Sequence, residues 1–283
     1  MKVVHTIKEV REIVKEWKKE GLSVGFVPTM GYLHEGHKSL ILKSVSQNDR
    51  TVVSDFVNPT QFGPTEDLAR YPRDLKRDSL LVESAGADLL FNPEPSEMYP
   101  PHFTTTVNTT EVTEHLCGAR RPVHFGGVCQ VLTKLFNIVT PDRAYFGQKD
   151  AQQLAVVKRF VRDLNFDIEI IGCPIIREDD GLAKSSRNTY LSPEERKAAV
   201  ILFKSLEAGK KLILEGERDS KVVIDEITKV LNTEPLAKID YVSIVDNVNI
   251  QPIDKIKGEV LVAIAVYIGT TREIDNFIIE VND

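Results

Sequence analysis

The chain has 283 residues, of which 42% are hydrophobic and 28% charged, with a formal net charge of −6. Such a composition describes a soluble globular protein of one large or two ordinary domains, and its acidic balance argues against a general nucleic-acid footprint. No run approaches the ~18 apolar residues of a membrane span, and Met1-Lys2-Val3-Val4-His5 lacks a signal-peptide core, so a cytoplasmic, membrane-free protein is expected. Cys117, Cys129 and Cys173 are scattered and odd in number, which suits reduced thiols better than a disulfide framework or a metal cluster.

Residues Ile7 to Glu20 carry Val10, Ile13, Val14 and Trp17 at helical spacing, and Gly21 closes that helix. Ser23–Val27 reads as the first strand, followed by an amphipathic stretch from Gly36 to about Val45. Thr51–Val57 is a second strand, Asp74–Ala85 a helix and Ala87–Phe91 a strand, before the proline-rich loop Asn92–Pro101. Thr104–Val107 suggests a short β excursion. Gly127–Val139 reads as a helix, Arg143–Phe146 a strand, Ala151–Leu164 a helix and Ile168–Cys173 a strand. Strands alternating with helices predict an α/β fold, a Rossmann-like doubly wound parallel sheet over residues 1–175. The pattern then changes. Ser192-Pro193 opens a helix predicted to run to about Leu214, another covers Ser220–Leu231, and three strands follow at Asp240–Val245, Val260–Tyr267 and Glu273–Ile279. Residues 176–283 therefore read as a smaller α+β domain.

Three polar loops follow strands, where ligands of doubly wound sheets bind. The first is Pro28-Thr29-Met30-Gly31-Tyr32-Leu33-His34-Glu35-Gly36-His37, a turn running into a helix. Its unpaired backbone N–H groups, together with two histidines three residues apart on one helical face, suit a phosphate chain. It is neither a dinucleotide fingerprint nor a P-loop, and two histidines without nearby cysteines support zinc weakly. The second loop, Asn58-Pro59-Thr60-Gln61-Phe62-Gly63-Pro64, is rich in turn residues and amides. The third, Gly147-Gln148-Lys149-Asp150, offers a lysine to phosphate and an aspartate to cap a helix or bind a hydroxyl. Lys184-Ser185-Ser186-Arg187 adds hydroxyls flanked by cations, a clamp for the charge on departing pyrophosphate. Together these parts describe nucleotidyl transfer.

The strings carry a resemblance. His34-x-Gly36-His37 looks like the HIGH element of the HIGH-type nucleotidylyltransferases and aminoacyl-tRNA synthetases, and Lys184–Arg187 resembles their KMSKS loop. Pro28–His37, Phe56–Gly63, Asp142–Leu154 and Asp180–Arg196 closely resemble the pantoate–β-alanine ligase family over nearly the whole chain. The resemblance implies ATP-dependent condensation of (R)-pantoate with β-alanine through a pantoyl-adenylate, releasing pyrophosphate and AMP. It also implies a homodimer, a magnesium requirement without a dedicated protein metal site, and a lid role for the second domain. Carried over by position, Met30, Gly31, His34, Gly36, His37, Gly147, Gln148, Lys149, Asp150, Ile176, Lys184, Ser185, Ser186 and Arg187 would bind ATP. His37 takes the place that the family calls proton donor, with His34 and Lys149 beside it on the reacting phosphates. Gln61 and Gln153, with Asn58 of the same loop as Gln61, would hold the substrates.

Several positions depart from the family pattern. Asp55 stands where an apolar strand residue is usual, Lys184 where leucine or methionine is, and Lys38 where leucine is common. Val123 and Gly126 replace a glycine and a polar residue. These changes raise a remodelled pocket with altered or lost catalysis as the alternative, with Asp55 and Lys184 as a buried charge pair. The milder reading has Asp55 facing a polar crevice and Lys184 adding a phosphate contact. Another HIGH-type adenylyltransferase is the enzymatic runner-up, whereas a tRNA-charging enzyme is disfavoured because the chain is short, acidic and without an evident anticodon domain.

Overall fold

A computed structural model describes residues 1–282. The chain divides into two compact units. The first comprises Met1–Thr110, Arg121–Gln148 and Val156–Pro174, and the second takes Glu111–Arg120, Lys149–Ala155 and the chain from Ile175 onward. In chain order the elements are β1 (Lys2–Val4), α1 (Ile7–Lys19), β2 (Val24–Thr29), α2 (Glu35–Gln47), β3 (Arg50–Asp55), α3 (Leu75–Ser84), β4 (Leu89–Phe91), α4 (Pro95–Met98), α5 (Leu116–Arg120), α6 (His124–Val139), β5 (Arg143–Gly147), α7 (Ala151–Asp163) and β6 (Glu169–Cys173). There follow α8 (Pro193–Ala198), α9 (Ile201–Leu214), α10 (Ser220–Leu231), β7 (Ala237–Asp246), β8 (Gly258–Ile268) and β9 (Thr271–Val281).

In the first unit β1 to β6 form one parallel sheet in the order β1-β4-β3-β2-β5-β6. The strands after β2 extend the sheet one way and those after β5 the other, so the topological switch lies between β2 and β5, where such sheets bind ligands. β2 is buried along most of its length, as expected where helices cover both faces. Val27, Leu33, Ile41, Val53 and Leu90 fill one side of the sheet. Phe26, Phe136 and Phe160 pack on the other, with ring centroids 6.3 and 5.9 Å apart. Helix α1 starts at a reciprocal capping box between Thr6 and Glu9, and α3 at Asp74, whose carboxylate accepts from the Arg77 N–H.

The second unit has an antiparallel sheet, β7-β8-β9, over which α9 and α10 bury Leu202, Leu206, Ile213, Val223 and Ile227 against Val262, Ile264 and Val266. Two expectations change, and one strand is added. Thr104–Val107 is not a strand, because its residues are largely exposed on both alternate faces and have no apolar side to bury. The helix expected from Ser192 to Leu214 is two, joined at Ala199-Val200 by tightened bonds such as Leu202 N–H to Ala199 O (3.2 Å). Strand β1, too short to show periodicity, pairs with β4. Among the described residues no helix is long and apolar enough to cross a membrane.

Candidate active site

The turn after β2 is built by unusual backbone. Gly31 and Tyr32 both have positive φ, 80° and 50°, so the chain reverses sharply before α2 begins at Glu35. Asp78, fully buried on α3, holds the reversal by accepting from the Tyr32 and Leu33 N–H groups at 2.6 and 2.7 Å. His34 is the N-cap of α2: its Nδ1 accepts from the Gly36 N–H at 3.1 Å, while the His37 Nδ1 accepts from the His34 N–H at 3.3 Å. Gly36 is required there, since a Cβ would lie 2.8 Å from the His34 ring. The two rings stand 4.1 Å apart. With both Nδ1 atoms accepting, each neutral imidazole carries its proton on Nε2. This corrects the expectation of a turn that offers unpaired amides: the N–H groups of Gly31, Tyr32, Leu33, His34 and Gly36 are taken by side chains.

Beyond β3 the second loop is a hydrogen-bonded block. The buried Asn58 donates to Gln61 Oε1 (3.1 Å) and to the Gly127 carbonyl (3.0 Å), and its own Oδ1 accepts from the Tyr99 hydroxyl (2.8 Å). Gln61 Nε2 reaches Met30 Sδ at 2.9 Å, joining this loop to the histidine turn. His124 Nδ1 lies 3.0 Å from the Gln61 carbonyl, and Arg121 grips Glu66 with two nitrogens. Burial pushes the Glu66 carboxyl up, but the Arg121 pairing outweighs it and holds the group below its usual range. Tyr99, His124, Asp78 and the Glu66–Arg121 pair carry no functional signal in the sequence. They surround Asn58 and the turn from distant parts of the chain, and no local spacing announces them.

Asp55 ends β3 level with Thr29 of β2, its carboxyl in the place where a side chain on residue 31 would be. Burial, and secondarily the Asp78 charge, push its pKa up to about 7. Asp78 is raised in the same direction by burial, against the two amides it accepts. Val123 is half exposed at the start of α6, and a Cβ on Gly126 would press on the Asn108 side chain. Gly147 ends β5, next to β2, and Gln148 follows it, so the first unit places the Met30–His37, Asn58–Gln61 and Gly147–Gln148 segments at the carboxyl ends of β2, β3 and β5, which are neighbours in the sheet.

The second unit carries the remaining candidates. Lys149 and the exposed Asp150 complete the short helix before α7, and Gln153 lies part-buried on its first turn. The adjacent Gln152, which no sequence motif marks, is buried and bonds Val112 O, His115 O and the Gly118 N–H. Residues 176–184 form a small hairpin in which the Lys184 N–H donates to Ile176 O at 2.9 Å. Ser185 caps the 3-10 helix Ser186–Tyr190 by accepting from the Arg187 N–H at 3.2 Å. Lys184 Nζ pairs with Glu178 at 2.7 Å inside this hairpin, and Asp55 has Asp78 as its charged neighbour in the first unit.

A family model described as pantoate-β-alanine ligase matches residues 2–278. The chain belongs to that family. It is an ATP-using ligase that joins pantoate to β-alanine. Pantothenate synthetases of Clostridium botulinum (strain Loch Maree / Type A3) and Clostridium acetobutylicum are each 62% identical to it, over 277 and 281 residues, covering 98% of this chain and 99% of theirs. The crystal structure of pantothenate synthetase from Thermus thermophilus superposes with a TM-score of 0.94 at 44% identity over all of both chains. The Francisella tularensis pantoate-β-alanine ligase, complexed with β,γ-ATP and β-alanine, gives 0.79 at 34% identity over 98% of this chain and 97% of that one. A remodelled scaffold without the ligase reaction is not favoured by likeness of this extent.

Proposed function

We propose that this ligase works in two half-reactions at the residues described. A pantoate carboxylate oxygen attacks the α-phosphorus of ATP, forming the mixed anhydride pantoyl-adenylate and expelling pyrophosphate. The β-alanine amine then attacks the acyl carbon, the acyl C–O bond to AMP breaks, and the amine proton leaves to water or base. No covalent bond to the protein forms. The observation that carries this reading is the imidazole pair at the switch point, whose Nδ1 atoms are committed to capping so that each Nε2 carries its proton as a directed donor. His37 and His34 steady the phosphates as charge shifts toward pyrophosphate, the kind of preorganised stabilisation that dominates such transfers. Met30, Gly31 and Gly36 shape the nucleotide side, with Gly147, Gln148, Asp150 and Ile176 as backbone and ribose contacts. Lys149, Lys184, Ser185, Ser186 and Arg187 supply cations and hydroxyls for the triphosphate. Gln61, Gln153 and Asn58 hold pantoate and β-alanine, because an amide both donates to a carboxylate and accepts from a hydroxyl.

Magnesium enters with the nucleotide in this reading. Among the described residues no group of three or more His, Cys, Asp or Glu side chains could hold a metal ion, and Mg²⁺ commonly keeps its waters and binds substrate phosphates. We also propose a cytoplasmic homodimer in which residues 176–283 act as a lid. The reaction is tested by following AMP from ATP, magnesium and D-pantoate with and without β-alanine. AMP appearing only with β-alanine, one per pantothenate, supports the scheme. Pyrophosphate release without amide product would confine the enzyme to adenylation.

A further inference from the structure

Strand β9 carries two buried carboxyls on one face, Glu273 and Asp275, each 2% exposed. Asp275 is saturated by a bidentate pair with Arg177, 2.6 and 3.0 Å, and by the Asn276 N–H at 2.8 Å. Glu273 has no such partner: its Oε1 is buried without a hydrogen bond among the described residues, and its neighbour on β8 is Val266. A carboxyl so placed works against stability unless cations compensate it. Burial pushes its pKa up, and the cations that pull it back are Lys149 and Arg187. The same strand reaches both segments physically. Asn276 Nδ2 donates to the Lys149 carbonyl at 2.9 Å, and the Ser186–Tyr190 helix packs on β9.

We infer that Glu273 is a positioning residue for the adenylation step, a buried counter-charge that holds Lys149 and Arg187 converged before the triphosphate arrives. The inference rests on the reading of those two cations as phosphate ligands. Two like charges brought together repel, and a fixed carboxyl between them keeps the pair assembled at lower cost in the free enzyme. Glu273 touches no substrate and transfers no proton. Its contribution is to the placement of groups that do act on phosphate, so it is expected in ATP kinetics rather than in stability.

The test compares Glu273→Gln, which keeps shape and removes charge, with Glu273→Asp, which keeps charge and shortens the side chain. Glu273→Gln is expected to raise the KM for ATP about tenfold and lower kcat by a similar factor, while the KM for β-alanine stays unchanged. Its melting temperature does not fall, since burial outweighs the two compensating cations and the charge removed is on balance a cost to folding. Glu273→Asp recovers part of the ATP effect. The inference is overturned if Gln leaves the ATP KM at its original value, or if Gln and Asp impair activity equally in step with lost stability, as a packing role would. Lys149→Met and Arg187→Met are measured alongside. If both raise the ATP KM and Glu273→Gln does not, this inference alone fails. If neither raises it, the phosphate assignment fails first and takes the positioning role with it.

Discussion

Asp55 and Glu273 are both carboxyls buried in a candidate site, yet they are treated differently. Asp55, at the end of a parallel strand, is raised by burial to a pKa of about 7, and its charged neighbour, the second carboxyl Asp78, adds to the push. Glu273, on an antiparallel strand, is buried still more deeply and is also raised on balance, with Asp275 adding to the push, but it has Lys149 and Arg187 pulling the other way. The contrast extends to the regions around them. The first unit fixes its site mainly with caps and bonds to backbone amides, those of His34, His37, Asn58 and the fully buried Asp78, on which salt has little purchase. The second fixes its site with charges, and charged pairs weaken as ionic strength rises. Geometry is held mainly by hydrogen bonds to backbone amides in the first unit, and mainly by charge pairs in the second.

The sharpest way to break that contrast is His37→Gln. A glutamine at the third helical position can reach back to the His34 N–H and preserve the cap, but it removes the imidazole. Turnover is expected to fall about 10²–10³-fold, roughly 3–4 kcal/mol of transition-state stabilisation, with little change in melting temperature. A large loss of stability with intact turnover per folded molecule would assign His37 to structure alone.

Asp55→Asn probes the uncompensated carboxyl. With a folded pKa near 7 and an ordinary value of 3.8, the folded protein keeps a proton that the unfolded chain gives up between those values. The unfolded state therefore binds fewer protons, and stability falls as pH rises from about 4 to about 7, then stays low. The penalty at pH 8 is on the order of 2–4 kcal/mol. Asp55→Asn is expected to raise the melting temperature at pH 8 and to leave it unchanged near pH 3.5, read by thermal unfolding across pH. An equal shift at both pH values would remove the titration from the explanation.

Gln61→Ala separates substrate orientation from phosphate chemistry. Gln61 is tied to Asn58 and Met30, so its loss should raise the KM for pantoate about 10–30-fold, a cost of roughly 1.5–2 kcal/mol, with the ATP KM nearly constant. A parallel rise in both constants would show that the loop serves the nucleotide as well.

Much of this is legible in the chain. The alternation of strands and helices specifies the parallel sheet, and the glycine-punctuated histidine turn is visible because its chemistry is local. What escapes is held at long range. Asp78 acts on residues 45 and 46 positions away, His124 on a carbonyl 63 positions away, and Tyr99 on Asn58 from 41. No spacing rule reports such contacts. Asp55 and Lys184 likewise stand out as charges in the sequence, which does not say that Asp55 meets Asp78 and Lys184 meets Glu178. Thr104–Val107 has strand-forming residues but pairs with no strand among the described residues, which propensity cannot see.

Lys184→Met tests the weakest consequence of the charged region. Lys184 is only 18% exposed, but Glu178, which it pairs with inside one hairpin, is 36% exposed and solvated. Pairs of that kind contribute about 0–1 kcal/mol, because water screens the attraction and two long side chains must be held still. The hairpin keeps its backbone bond from Lys184 N–H to Ile176 O whatever the side chain, so folding should be unaffected. The ATP KM is expected to rise less than about threefold at low salt and to converge with the parent enzyme at high salt. A tenfold rise that persisted at high salt would mean that the Lys184 contact with the triphosphate is close and desolvated rather than screened, and that its pairing with Glu178 is a resting state that ATP displaces.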